Sequence, residues 1–146
     1  MLELEVLMAT QLRQVYDWNL ADDIEPFESF ERRLLQPNWL HYAIMDGPAW
    51  IGALSLELLT PTTCSVHVAK QIGGDRAALR RLIIDTGILL FEAGFHRLVV
   101  EILPRNRAAY ALATDCGMVP DGDTPDCRYM KLDAEDYFAN PEKWKN

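Results

Sequence analysis

Cysteine is scarce in this sequence and irregularly placed. Cys64, Cys116 and Cys127 are accompanied by only three histidines. An odd number of widely spaced cysteines fits neither a disulfide framework nor the paired ligands of a zinc site. We therefore expect no metal site and reduced thiols. Because disulfides persist mainly in oxidising compartments, reduced thiols favour a cytoplasmic location.

Basic residues are also fewer than acidic ones. The sequence has 14 Lys plus Arg and 22 Asp plus Glu, which gives a formal charge of −8. Proteins that bind nucleic acid usually carry the opposite balance because they neutralise phosphates, so we expect no nucleic-acid partner. We also expect no membrane partner, because no apolar run reaches the roughly 18 residues of a membrane span. The start MLELEVLMAT lacks the basic segment of a signal peptide. The acidic excess has two interpretations, a solvated surface or attraction of a cationic substrate.

Apolar residues, by contrast, make up 49% of the 146 residues, enough for the core of one domain. No low-complexity linker or internal repeat divides the chain. We therefore predict a single domain over residues 1–146, in which residues 133–146 form a polar tail. The oligomeric state is left open, with a homodimer as one alternative.

The first half of the chain predicts a strand, two helices and three antiparallel strands. Residues 2–8 alternate apolar and acidic side chains, as a half-buried strand does. Thr10 is a candidate cap for a helix over residues 11–19, and Pro26 suits the start of a helix that ends near residue 35. Asp-Gly and Pro-centred turns then separate the strands. These strands are predicted at residues 39–45, 50–58 and 64–69.

The second half predicts a long helix, a strand, a second helix and a final strand. The long helix covers residues 77–93, with Arg81 and Asp85 spaced to pair and Gly94 as its stop. A strand at residues 98–103 and a helix at 107–116 follow, then a strand at 128–132, with a further short strand near Met118 as an alternative. The crossover through the long helix requires a mixed sheet. The apolar positions at three- and four-residue spacing in the long helix are Leu79, Leu82, Ile83, Thr86, Leu89 and Leu90.

The stretch FEAGFHRLVVEILPRNRAAYALATDCGMVPDG, together with this order of elements, resembles the acyl-CoA N-acyltransferases of the GNAT superfamily. The resemblance implies an α/β (α+β) fold with a mixed, mostly antiparallel sheet of six to seven strands and about four flanking helices. Met118 stands where members usually have Phe. Degenerate GNAT-like domains of tailed phages are similar as well. The positions that match the superfamily pattern are Gly94, Leu98, Val100, Ile102, Asn106, Ala109, Leu112 and Gly117.

The resemblance also implies an acyl-CoA cosubstrate, normally acetyl-CoA, held at a loop before the long helix. Superfamily loops are similar to Gln/Arg-x-x-Gly-x-Gly/Ala, which Gln71 and Gly74 match, whereas Arg76 stands where Gly or Ala is expected. Arg76 could block the approach of the pyrophosphate or pair with a phosphate. The pantetheine arm would pair with the backbone of the preceding strand. The predicted cosubstrate-binding residues are Val66, Val68, Gln71, Ile72, Gly73, Gly74, Asp75, Arg76, Ala77, Asn106 and Ala109.

Three residues are candidates for the catalytic groups. His67 is a base by type, although it could equally be a packed or surface histidine. Glu101 is the lone acid of an apolar strand and could instead face solvent. Superfamily members often place a Tyr proton donor where this chain has Ala113, and Tyr110, one turn earlier, is the candidate substitute.

Two functions follow from the resemblance. The first is transfer of an acetyl group to an amine of a small molecule or a protein, by direct attack on the thioester. The second is a catalytically inactive GNAT-like binding or structural protein, such as a phage virion or accessory component, because a fold alone does not imply catalysis.

Overall fold

The computed structural model describes residues 2–19, 25–70 and 75–144. Their elements follow the predicted order. In chain order they are β1 (Leu2–Val6), a 3-10 turn (Ala9–Gln11), α1 (Leu12–Asn19), α2 (Phe27–Leu34), β2 (Trp39–Asp46), β3 (Ala49–Thr60), β4 (Thr63–Lys70), α3 (Arg76–Glu92), β5 (Arg97–Ile102), α4 (Arg107–Asp115), β6 (Val119–Asp123), β7 (Arg128–Asp133), α5 (Ala134–Ala139) and a 3-10 turn (Pro141–Trp144).

The strands form one seven-stranded sheet in the order β1-β2-β3-β4-β5-β7-β6. Strand β4 runs parallel to β5, whereas β1–β2, β2–β3, β5–β7 and β6–β7 are antiparallel. This confirms the predicted mixed, mostly antiparallel sheet of six to seven strands. The additional helix is α5, which lies in the segment predicted as a polar tail. That segment folds because Ala134, Tyr137 and Trp144 are buried among its polar residues.

The chain divides into two compact units. Unit 1 comprises Met1–Glu57 and Val66–Arg76, and unit 2 comprises Leu58–Ser65 and Ala77–Asn146. Strands β3 and β4 contribute residues to both units. The prediction of a single domain over residues 1–146 stays a prediction.

Unit 1 buries one face of each of its helices. Helix α1 buries Leu12, Val15 and Tyr16, at the spacing that places side chains on one side of a helix. Thr10 does not cap this helix as predicted, because a 3-10 turn precedes it and the Gln11 side chain accepts the Met8 N–H at 2.8 Å. The core of the unit consists of Leu7, Leu12, Val15, Tyr16, Phe30, Leu34, Trp39, Ala43, Ala53 and Ala69.

The long helix of unit 2, α3, buries Leu79 as predicted, but its other fully buried residues differ from those predicted. Its buried residues are Leu79, Ile84, Gly87 and Phe91, whereas Leu89 is 67% exposed. Because the helix is apolar on most sides, spacing alone could not select its inner face. Helix α3 packs closely against β5 at Gly87, since a Cβ there would lie 3.2 Å from Leu98 Cδ1.

Both α3 and α4 end as predicted, at a glycine in the left-handed region. Gly94 has a φ of 112° and Gly117 a φ of 92°. The next residue in each case donates its N–H five residues back, from Phe95 to the carbonyl of Leu90 at 3.0 Å and from Met118 to that of Ala113 at 3.0 Å. These bonds satisfy the last carbonyls of each helix.

Candidate active site

The segment predicted to hold the cosubstrate runs along β4 to the start of α3. The parallel pairing of β4 with β5 joins Thr63–Ser65 to Arg97–Val99, and both strands continue beyond those pairs. Val66 and Val68 are half-buried on one face of β4. Gln71, Ile72, Gly73 and Gly74 lie outside the described residues.

Helix α3 begins at Arg76, one residue earlier than predicted. Asp75, Arg76 and Ala77 are all exposed. The first N–H groups of a helix have no acceptor within it, so a helix start favours an anion. The Arg76 side chain stands on that first turn, where it can reach an anion as well as hinder one.

His67 lies on the opposite face of β4 and packs within unit 1. Its ring is 4.9 Å from the ring of Trp39, and its Nε2 is 3.8 Å from Glu57 Oε1. The Arg33 guanidinium lies 5.9 Å from the Trp39 ring. Burial, followed by the charges of Arg33 and His41, lowers the pKa of His67 to about 4. His67 is therefore neutral at neutral pH.

His41 has a structural role beside this group. Its Nε2 is 2.6 Å from the Leu34 carbonyl oxygen and its Nδ1 is 2.8 Å from Ser55 Oγ. Because a carbonyl only accepts, Nε2 donates to Leu34, and Nδ1 forms the hydrogen bond with the Ser55 hydroxyl. The bond to Leu34 satisfies a carbonyl at the end of α2.

Glu101 lies in unit 2 on an open face of the sheet. It is exposed on β5 and stands directly opposite Tyr129 of β7 in the antiparallel register. Burial, followed by the charge of Glu101, raises the pKa of the Cys127 thiol. Ionised Cys127, followed by Glu101, raises the pKa of Tyr129. Glu101, Cys127 and Tyr129 therefore form one cluster, of which the sequence had indicated only Glu101.

The same face carries a group of paired charges farther along the strands. Arg97 Nε donates to Asp133 Oδ1 at 2.6 Å, and Lys131 Nζ is 3.5 Å from Asp133 Oδ2. The hydrogen bond from Arg97 is the main cause that lowers the pKa of Asp133. Both cations thus have a carboxylate beside them.

The opposite face of β5 and β7 packs in a core cluster with α4. Asn106 caps this helix as predicted, since its Oδ1 accepts the Ala109 N–H at 3.1 Å. Ala113 is 8% exposed in this cluster, and Tyr110 packs against it. The Arg128 guanidinium lies 5.0 Å from the centre of the Tyr110 ring. Tyr110 and Ala113 therefore share one side of α4.

Two classes of feature are not found in the part of the chain that the structure covers. Over residues 2–19, 25–70 and 75–144, no group of three or more His, Cys, Asp or Glu side chains could hold a metal ion. Within those same ranges, every helix is too short or too polar to span a bilayer.

Solved structures resemble this chain over nearly its whole length. The spermidine N-acetyltransferase of Vibrio cholerae in complex with CoA and spermine matches at a TM-score of 0.72 and 17% identity, covering 94% of this chain and 98% of that one. The N-acetyltransferase PseH of Campylobacter jejuni in complex with acetyl coenzyme A matches at a TM-score of 0.66 and 14% identity, covering 91% and 99%. The chain has the GNAT fold.

A dodecameric structure of the Vibrio cholerae enzyme gives a TM-score of 0.70 at 16% identity, covering 96% of this chain and 97% of that one. No protein-family model matches the sequence, and no curated protein matches it. The GNAT fold is therefore recognised through structure at identities that show the fold alone, and the activity has to be argued from the site.

Proposed function

We propose that this protein is an acetyl-CoA-dependent N-acyltransferase that acetylates an amine. The observation that carries the proposal is the GNAT fold, with the parallel pairing of β4 with β5 over Thr63–Ser65 and Arg97–Val99. In this proposal the backbone of β4 pairs with an extended pantetheine arm, as in strand addition. Neighbours of the same fold are N-acetyltransferases in complex with CoA or acetyl coenzyme A.

The cosubstrate would follow β4 into the start of α3. Its arm would pair near Val66 and Val68, and its pyrophosphate would meet the N-terminus of α3, where the positive end of the helix dipole favours an anion. Arg76 is exposed there. We therefore favour the interpretation that it pairs with a phosphate over the one that it blocks the pyrophosphate. The remaining residues of this proposed site are Gln71, Ile72, Gly73, Gly74, Asp75, Ala77, Asn106 and Ala109.

The proposed reaction is direct transfer. The acceptor ammonium gives one proton to Glu101, and its nitrogen attacks the thioester carbonyl carbon. The second amine proton passes to solvent as the C–N bond forms and the C–S bond breaks. The CoA thiolate takes a proton from Tyr110, and solvent returns Glu101 and Tyr110 to their starting states.

We assign the base to Glu101 rather than to His67 on the basis of charge and access. The ability to hold the cation decides between them. Glu101 is exposed and anionic. His67 is half-buried against the Trp39 ring and neutral at neutral pH, so it offers no charge to hold a cation. His67 therefore serves the packing around Trp39.

One observation favours the alternative, a catalytically inactive GNAT-like binding or structural protein such as a phage virion or accessory component. Ala113 is buried where members of the superfamily often have their Tyr donor. The alternative predicts a fold that binds CoA or another ligand without turnover. Its test is contained in the experiment below.

The experiment measures thermal unfolding with increasing acetyl-CoA, and then release of CoA thiol with spermidine, spermine and a lysine-containing peptide. Acetyl-CoA at about 100 times its Kd should add about 2.7 kcal/mol to the free energy of unfolding. No stabilisation at millimolar acetyl-CoA would reject the proposal. Stabilisation without thiol release from any amine would favour the inactive alternative.

A matched pair of variants locates the binding site. Ala77→Glu places a carboxylate on the first turn of α3, and Ala93→Glu places one just beyond its last turn. Both positions are exposed. Ala77→Glu should abolish stabilisation by acetyl-CoA through charge repulsion, and Ala93→Glu should retain it. Equal stabilisation of the two variants by acetyl-CoA would show that acetyl-CoA does not bind at the start of α3.

A cytoplasmic location and a homodimer stay predictions. A neighbour of the same fold is dodecameric, which makes the oligomeric state worth measuring. Sedimentation equilibrium would determine it directly.

A further inference from the structure

We propose that the outer edge of β1 binds an extended segment of another protein in which basic residues alternate with apolar ones. The segment adds to the sheet as an antiparallel strand beside β1, which is a recurring mode of peptide recognition. Strand β1 is the first in the order of the sheet, with β2 and β3 between it and β4. The inference therefore goes beyond the proposed function, because it concerns a surface apart from the segment proposed to hold the cosubstrate.

The backbone of β1 directs alternate residues toward its outer edge. Strand β1 pairs with β2 in one regular antiparallel register. At the end of this ladder the Leu7 N–H donates to the facing carbonyl of β2 at 3.1 Å. Hydrogen-bonded and non-hydrogen-bonded pairs alternate along an antiparallel ladder, so Glu3 and Glu5 also bond toward β2. Leu4 and Val6 consequently direct their N–H and C=O groups outward, where an added strand can bond to them.

One face of this edge is apolar and exposed. Val6 is 78% exposed and stands opposite Tyr42. Met8 is 65% exposed and continues the extended backbone, with a φ of −86° and a ψ of 148°. The same register brings Met8 beside Leu40, which is 44% exposed on the face of Tyr42. Apolar side chains of an added strand would cover this face.

The other face of the edge is acidic. Glu3 and Glu5 are both exposed and alternate with the apolar residues of β1. Opposite charges that face each other across neighbouring strands stabilise the pairing, whereas like charges destabilise it. The formal charge of −8 adds a general attraction for a basic partner. The two faces together select a strand with basic residues on one side and apolar residues on the other.

A second copy of β1 does not fit this edge. In an antiparallel pair, residues that bond toward the partner strand stand opposite residues that do the same. The antiparallel register that pairs the whole of β1 with another β1 therefore places Glu3 of each copy opposite Glu5 of the other. Because like charges directly opposite each other are destabilising, the partner is a different chain.

Strand β6, at the other end of the sheet order, has the features of a protected edge. It contains Pro120, its register with β7 shifts between Pro120 and Asp123, and Gly122 has a φ of 96°. Proline and bulges interrupt the row of backbone groups that an added strand needs. Strand β1, with the sequence LELEV, has a regular register and no proline. Its glutamates occupy one face only, so they select a partner and leave the backbone edge open.

The direct test is amide hydrogen exchange of the full chain, followed by NMR, with the peptide RVRVRV blocked at both ends. This peptide has no primary amine, so it cannot bind as an acetyl acceptor. In the free protein the amides of Leu4 and Val6 should exchange faster than those of Glu3 and Glu5. Millimolar peptide should slow exchange at Leu4 and Val6 by about 10-fold or more. Unchanged exchange at these two amides would overturn the proposal.

Modified peptides test the geometry of the added strand. In antiparallel addition the valines of the peptide lie on the face of Leu4 and Val6, and their N–H groups point to β1. N-methylation of the three valines should therefore abolish binding, measured by fluorescence anisotropy of a labelled peptide. N-methylation of the three arginines, whose N–H groups point away from β1, should retain it. Binding that survives methylation of the valines would contradict strand addition.

Reversal of charge tests the choice of partner. Glu3→Lys combined with Glu5→Lys should weaken binding of RVRVRV roughly 10-fold or more and strengthen binding of the blocked peptide EVEVEV by a similar factor. Glu92→Lys combined with Glu135→Lys is the matched control, because it reverses two exposed acids elsewhere and changes the net charge equally. The control should alter neither affinity by more than a few-fold, and thermal unfolding verifies that each variant folds. Equal changes in both double variants would show that binding follows net charge instead of β1, and would overturn the proposal.

Discussion

The two predicted bases, His67 and Glu101, lie in opposite kinds of surroundings. His67 in unit 1 packs on the Trp39 ring and feels the charges of Arg33 and His41, which with burial lower its pKa to about 4. Glu101 in unit 2 is exposed on an open strand face opposite Tyr129. The His67 side chain is half-buried against the core of unit 1, and the Glu101 side chain is available to a ligand.

The difference separates a group suited to packing from one suited to chemistry. An ionisable side chain that is enclosed tends toward its neutral form, because the charged form loses its hydration. A carboxylate on an open face keeps its charge and can attract a cation before it accepts a proton. Residue type alone favoured His67, whereas its surroundings favour Glu101.

The largest effect should come from removing the carboxylate of the open face. Glu101→Gln should lower kcat/KM for amine acetylation by about 100- to 10,000-fold, the usual contribution of a general base. His67→Gln should lower it less than about 10-fold, because no proton transfer is lost. Initial rates of CoA thiol release measure both.

Glu135→Gln, at an exposed carboxylate on α5, is the matched control for this substitution. It should leave kcat/KM and thermal stability unchanged. If His67→Gln lowers kcat/KM more than Glu101→Gln does, His67 of unit 1 is the base and the assignment to Glu101 is wrong.

The second largest effect should come from removing the Trp39 ring that packs on His67. Trp39 is buried in the core of unit 1, so Trp39→Ala should lower the free energy of unfolding by about 3 to 5 kcal/mol. In the variant that remains folded, the pKa of His67 should rise from about 4 toward 6.5. Urea unfolding and NMR titration of the His67 ring measure the two consequences. An unchanged His67 pKa would show that Trp39 does not enclose it.

Much of the fold could be predicted from the sequence because local signals coincide with it. Gly94 and Gly117 end α3 and α4 in the left-handed conformation, and Asn106 caps α4 through the Ala109 N–H. Arg81 and Asp85 pair four residues apart, with Nη2 2.6 Å from Oδ1. Each of these features depends on contacts within a few residues, which a sequence displays directly.

The features that could not be predicted depend on contacts between distant residues. The inner face of α3 is marked by Gly87, whose close approach to Leu98 no helical periodicity indicates. Tyr129 joins Glu101 only through the register of β5 and β7, and a shift of one residue would turn it to the other face. Trp144 occupies the space that a Cβ at Gly117 would take, which buries a segment predicted as a tail.

A smaller effect should appear in the pH dependence of stability. The folded state keeps His67 neutral down to about pH 4, whereas an unfolded chain protonates it near 6.5. The unfolded state therefore binds more protons in this window, and the free energy of unfolding falls as the pH drops from 6.5 to 4. The side chain is 35% exposed, so solvent screening limits the loss to about 1 to 2 kcal/mol.

The variant His67→Gln isolates this contribution from that of the carboxylates. Its stability relative to the wild type should improve steadily as the pH falls through that window. The groups around His67 include Glu57, Arg33, His41 and the Trp39 ring. A constant difference between the two proteins from pH 7 to pH 4 would contradict the enclosure of His67.

The smallest effect on the free energy of unfolding should come from a Val→Thr substitution on the open face. The matched control is the same substitution in the core of unit 1. Val119 on β6 is 48% exposed and stands opposite Lys131, on the same face as that residue. Val119→Thr should change the free energy of unfolding by less than about 0.5 kcal/mol, because water can solvate the added hydroxyl. Val15 is 2% exposed in the core of unit 1, where the same hydroxyl must be buried, so Val15→Thr should cost about 1 to 3 kcal/mol. Urea unfolding measures both, and equal losses would mean that the face beside Glu101 is covered in solution and closed to an acceptor.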